Sequence, residues 1–193
     1  MIIRPEDLIS YFPEKDYNGV LILLREPNDP NSPEKLVMEH NQSWIHMVLA
    51  TNEKGRSVSR YRNRFAEMLQ YVGLNPETEL SHIAYANIKQ TGGGASSDDE
   101  YWNLSSEEKK ARFALIQTQV NPQIVFTVYD IFNSITEGTT VTRNGIQYKR
   151  RKNPKRKAID KNGIIYYEIL HPSWSPKAIH QSRPCTDRAA KNG

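Results

Sequence analysis

Three short stretches hold residue types that can do hydrolytic or hydrogen-bonding chemistry, and each follows an apolar run. Glu26-Pro27-Asn28 comes just after Val20-Leu21-Ile22-Leu23-Leu24, Asn87 comes near the end of His82 to Ile88, and His171-Pro172-Ser173-Trp174 follows Ile164 to Leu170. A carboxylate can stabilise a cation or orient water, an amide both donates and accepts, and an imidazole changes charge near neutral pH. Around one pocket, the three suffice to recognise a planar heterocycle and to hydrolyse a bond to it. Singly, each has an ordinary role: a solvated loop acid, a turn cap, a satisfied histidine.

Other chemistries find less support. His40, His46, His82 and His180 share no ligand spacing, so no metal site is expected. Gly92-Gly93-Gly94 is not followed by Gly-Lys-Ser/Thr and reads as a loop. Ser57, Ser96 and Ser173 lack the G-x-S-x-G elbow. Cys185, the one cysteine, excludes an intramolecular disulfide framework and a Cys-rich zinc site.

For the three stretches to meet, the runs before them must be strands that end together. Val20 to Leu24, His82 to Ile88, Gln123 to Tyr129 and Ile164 to Leu170 are the strand candidates. Between them, Val58, Tyr61, Phe65, Met68, Leu69 and Val72 recur at helical spacing, with Gly73 placed to end the helix. Ser105 and Glu108 form a capping-box pattern that predicts a helix to about Thr118, and Ile131 to Ile135 predicts a short one. Alternating strands and helices predict an α/β domain, three layers (α/β/α) around a central, mostly parallel, four-stranded sheet. In such sheets ligands sit beyond the carboxyl ends of the strands. The positions to inspect are therefore Glu26 to Asn28, Asn87 to Gln90, Tyr129-Asp130 and His171 to Trp174.

The chain has 193 residues and a net charge of +4, unevenly placed. Thr142 to Lys161 alone carries +8, from Arg143, Lys149, Arg150, Arg151, Lys152, Lys155, Arg156, Lys157 and Lys161 against Asp160. The other 173 residues sum to −4. A block this dense repels itself and suits a solvated loop, a localisation signal or contacts to nucleic-acid phosphates. Asn144-Gly145 is a hairpin turn signal, so the block is expected to ride on a hairpin. One domain spans 1–193, with a basic insertion at about 140–162 and a polar tail from about 177. No apolar run is long enough to cross a bilayer, and Met1 to Asp7 lacks a secretory apolar region, so a cytoplasmic protein is expected.

In order, these motifs resemble those of the uracil-DNA glycosylase superfamily. The matching elements are LLREPN (Leu23 to Asn28), AYANIK (Ala84 to Lys89), NPQIVFTVYDIF (Asn121 to Phe132) and EILHPSW (Glu168 to Trp174). His-Pro-Ser after an apolar strand is the sharpest of them. The first motif departs from the family, which has Gly at its start and Asp or Asn before Pro; Leu24 and Glu26 stand at the corresponding positions here. The resemblance implies hydrolysis of the N-glycosidic bond of uracil or another damaged base in DNA, after the nucleotide is flipped out of the helix. It implies that Glu26 stabilises the sugar cation and orients water, that His171 donates to the departing base, and that Asn87 reads the base edge. Trp44 or, second, Tyr85 would stack on the base, with Pro27 and Asn28 beside it. Ser173 and Trp174 would contact DNA, Trp174 as a wedge. Lys149, Arg150, Arg151, Lys152, Lys155, Arg156 and Lys157 would hold the backbone. No cofactor or metal is implied. Two other readings stay open: a non-catalytic nucleic-acid-binding protein on the same fold, and a hydrolase of small nucleotides or nucleosides.

Overall fold

A computed structural model describes residues 3–13, 15–25, 60–90, 99–143, 147–148, 151–152 and 154–172, with backbone alone at 60, 147–148 and 151–152. Glu26, Pro27, Asn28, Trp44, Ser173, Trp174, Lys149 and Arg150 lie outside the described residues, as do Asn144-Gly145 and the polar tail.

The strands are β1 (Ile9–Tyr11), β2 (Val20–Leu24), β3 (Ala84–Asn87), β4 (Ile124–Val128), β5 (Val141–Arg143), β6 (Gln147–Tyr148), β7 (Arg151–Lys152), β8 (Arg156–Ile159) and β9 (Ile165–Ile169). The helices are α1 (Pro5–Leu8), α2 (Arg60–Tyr71), α3 (Pro76–Glu79), α4 (Asp99–Trp102), α5 (Ser106–Val120) and α6 (Tyr129–Ile135), with a 3-10 turn at Leu80–His82.

Seven strands form one mixed sheet in the order β1-β3-β2-β4-β9-β8-β5, and β6 and β7 pair separately. The fold is α/β, as expected, but the sheet is larger than the four strands expected. β3, β2, β4 and β9 run parallel, whereas β1, β8 and β5 join antiparallel at the two edges. Every residue of β2 is buried, which is why its sequence is apolar without alternation: a central parallel strand is covered on both faces.

Helices supply that cover. On one face α2 sets Phe65 against Tyr85 of β3 and Tyr71 edge-on to Tyr167 of β9. On the other, α5 sets Phe113 against Tyr166 of β9. Tyr166 and Tyr167 are neighbours on one strand, so they point to opposite faces. Both helices end as the sequence predicts. Gly73 takes φ +82° after α2, and α5 opens with the reciprocal Ser105–Glu108 capping box and closes on Asn121 at φ 45°.

The turn expected at Asn144-Gly145 lies outside the described residues, but the strands on either side of the basic block pair antiparallel. β5 pairs with β8, Arg143 opposite Arg156, and β6 pairs with β7. The segment read as a basic insertion thus contributes two strands to the main sheet, β5 and β8, with the separate pair β6–β7 between them in sequence.

Candidate functional site

Each of the four parallel strands is followed within two residues by a polar side chain, and the parallel register brings those ends to one edge. Beyond β2 comes Arg25, beyond β3 come Ile88 and Lys89, beyond β4 come Tyr129 and Asp130, and beyond β9 comes His171. The β2–β3 pairing runs on past the strands, with the Ile88 and Lys89 N–H groups donating to the Leu24 and Arg25 carbonyls at 3.0 and 2.8 Å.

Asp130 is the hub of this edge. Its Oδ1 accepts from Arg25 Nε at 3.0 Å and Nη2 at 2.8 Å. Its Oδ2 accepts from the Tyr101 hydroxyl and lies 3.5 Å from Lys109 Nζ. Burial alone would push this carboxyl up, but the hydrogen bonds from Arg25 and Tyr101 outweigh it and hold it below the usual carboxylate range. Burial and the adjacent carboxylate push the Tyr101 hydroxyl up, so it stays protonated as the donor. Arg25 also lies over the Trp102 ring at 4.7 Å, and Lys109 over the Tyr101 ring at 4.9 Å.

Lys89 is 2% exposed, and its ammonium reaches Glu100 on α4 at 3.1 Å. A buried ammonium needs such a partner. With Arg25 and Lys109 it makes this edge rich in fixed positive charge.

His171 faces Tyr61 of α2 edge-on, ring centroids 6.4 Å apart. Burial, and secondarily the Arg25 charge, push its pKa down to about 4, with Asp130 pulling weakly the other way. The imidazole is therefore neutral at pH 7 and offers one N–H donor.

Asn87 is buried at the end of β3. Its Nδ2 donates to Ser10 Oγ at 2.8 Å, and its Oδ1 accepts from the Tyr85 hydroxyl at 3.4 Å. These two contacts fix the amide and leave one N–H and one lone pair uncommitted by them. Tyr85 itself lies in the core against Phe65.

The described part of the basic insertion reaches the same edge. β8 is antiparallel to β9, with Arg156 opposite Glu168, so β8 begins where β9 ends. β5 ends there too, since Arg143 sits opposite Arg156. The chain between Arg143 and Arg156 therefore leaves and returns at the edge that carries His171. Arg156 is already committed: it pairs with buried Glu168, donates to Asn133 Oδ1 at 2.7 Å, and lies over the Tyr129 and Phe132 rings. Lys155 Nζ lies 4.0 Å from Glu168, and Lys157 lies over the Tyr167 ring. The backbone of Arg151 and Lys152 forms β7.

Of the residues singled out from the sequence, Asn87 and His171 thus share one edge with Lys155 and Arg156. Arg25, Tyr101 and Lys109 were not singled out. Lys109 did leave a signal, because it continues the buried stripe of Phe113, Ile116 and Val120 at helical spacing. A charge at such a position must be paired inside.

Among the described residues, no group of three or more His, Cys, Asp or Glu could hold a metal ion, and no helix is long and apolar enough to cross a membrane. An open groove lined by Ala114, Gln117, Thr118, Asn162 and Ile164, at the amino ends of β4 and β9, carries no titratable side chain. Comparison with known proteins gives no match: no family model fits the chain, and no curated protein or solved structure resembles it closely enough to count as a relative.

Proposed function

We propose that this protein acts on nucleic acid at the carboxyl edge of its sheet, hydrolysing the N-glycosidic bond of uracil or another damaged base in DNA. The observation that carries the reading is the joint position of His171 and the basic insertion, whose flanking strands end and begin beside it. A charged element for phosphates and a neutral hydrogen-bond donor for a leaving base then serve one substrate.

In this reaction the C1′–N bond breaks and its electron pair leaves with the base. The oxygen of water bonds to C1′, and a proton is returned to the base. Neutral His171 would donate to the base oxygen as negative charge gathers there. Asn87, its amide fixed by Ser10 and Tyr85, would read the base edge with its remaining N–H and lone pair. Glu26, the residue after Arg25, would take the sugar cation and the water. On this reading the four parallel strands and the helices on both their faces form the three-layer core of a uracil-DNA glycosylase-like domain, in a cytoplasmic protein. β1, β8 and β5 extend that core.

A second reading has one observation behind it. Asn87 is buried, with both ends of its amide engaged, which suits a binding protein without base chemistry. The test is incubation with DNA carrying a single uracil, and in parallel with other single damaged bases. Release of free base that Glu26→Gln and His171→Ala both abolish supports the hydrolase. Salt-sensitive binding with every base left in place supports the binding protein.

A further inference from the structure

Among the described residues few large apolar side chains are left open to solvent, and two of them stand at the carboxyl edge. Trp102, the last residue of α4, is 50% exposed, and Tyr129, the first of α6, is 59% exposed. Each ring has an arginine against it: Arg25 lies 4.7 Å from the Trp102 centroid, and Arg156 lies 5.1 Å from that of Tyr129. Both arginines are held by acids, Arg25 by Asp130 and Arg156 by Glu168. A guanidinium fixed in this way is poorly placed to neutralise a phosphate. It serves instead to hold the ring beside it and keep one of its faces in a set direction. Asp130 follows Tyr129 in the chain, so the two pairs form a continuous row: Trp102, Arg25, Asp130, Tyr129, Arg156.

The ring faces and the exposed Arg143, opposite Arg156, therefore meet at one edge. Duplex DNA hides its base faces in the stack, whereas a single strand exposes them to any aromatic platform. Resting on the nucleic-acid reading above, we infer that Trp102 and Tyr129 are stacking platforms for unpaired bases, and that the strand recognised at this edge is single or locally opened. Stacking is neutral, so the two rings contribute affinity without releasing counterions. Arg143, exposed at the end of β5, supplies the part that depends on salt.

The experiment measures binding of the full chain to a labelled oligothymidylate of about twelve nucleotides and to a duplex of the same length, each over a range of salt. The single strand is expected to bind more tightly. Trp102→Ala and Tyr129→Ala are each expected to weaken it by about five- to a hundredfold at an unchanged salt slope, with Trp102→Phe and Tyr129→Phe close to the parent. Arg143→Ala is expected to lower the slope instead. Should an alanine variant fail to fold, the indole emission lost in Trp102→Phe serves as the second measurement, since stacking on a base quenches it. Ring-to-alanine variants that bind like the parent, or that change the salt slope as Arg143→Ala does, overturn the stacking role and leave the nucleic-acid reading standing. An unchanged Trp102 emission on saturation with the strand has the same consequence. A parent protein that binds neither strand overturns both.

Discussion

Arg25 and Asp130 close across the ends of two adjacent parallel strands, with Nε and Nη2 of the guanidinium 3.0 and 2.8 Å from one carboxylate oxygen. The pair ties β2 to α6 at the edge where the candidate site lies. It also sets the electrostatics around His171, which feels the cation more than the anion.

Asp130→Asn leaves two cations, Arg25 and Lys109, without their acid. Breaking a buried ion pair costs about 3–5 kcal/mol, and exposed pairs are worth about 1 kcal/mol or less. The two side chains here are 25% and 15% exposed, so a loss of about 2 kcal/mol is expected in urea unfolding. The His171 pKa should fall further in this variant, because Asp130 is the charge that raises it; an imidazole NMR titration reads that change.

His171 makes stability depend on pH in a defined window. In the unfolded chain its pKa is near 6.5, and in the folded protein burial holds it at about 4. Between these values the unfolded state binds a proton that the native state refuses. The stabilisation is therefore complete above pH 6.5 and is lost as pH falls toward 4. Urea unfolding at pH 7 and pH 5 should show the parent losing about 1–2 kcal/mol more than His171→Asn. Equal losses in the two proteins would mean that the imidazole is not held neutral.

Glu168 is 2% exposed and answers Arg156 and Lys155. Glu168→Gln should destabilise the protein by about 2–3 kcal/mol, since it leaves Arg156 partly buried without its acid. Glu168→Gln with Arg156→Met should recover part of that loss, and a double-mutant cycle in urea measures how much. Strict additivity of the two changes would show that the pair is not coupled.

Ser105 accepts from the Glu108 N–H at 3.2 Å while Glu108 Oε2 accepts from the Ser105 N–H at 2.8 Å. Ser105→Ala should cost about 1 kcal/mol, read as a lower Tm. It should leave any nucleic-acid affinity unchanged, because the capping box uses none of the residues placed at the site.

The central strands were legible because parallel strands covered on both faces read as apolar runs, as VLILL, IVFTV and IYYEI do. The edge strands were not. β1 has three residues, and β8 reads Arg-Lys-Ala-Ile, a charged segment whose place in the sheet depends on Glu168 opposite Arg156. β5 finds its partner in β8, with Thr142 opposite Lys157, a long-range choice that no short motif encodes. At the site, the rule that ligands lie beyond strand ends pointed to Asp130 and His171. It said nothing of Tyr101 and Lys109, which arrive from α4 and α5 and become neighbours of Asp130 only through packing.

The most direct measurement is release of free base from DNA carrying one uracil, under single-turnover conditions, by the parent protein and by His171→Ala. The account predicts release by the parent that is flat between pH 5 and 7, because His171 is neutral across that range, and a loss of about a hundredfold or more in the variant. Release at the same rate by His171→Ala, or DNA bound with every base retained on uracil and damaged-base substrates alike, would contradict it.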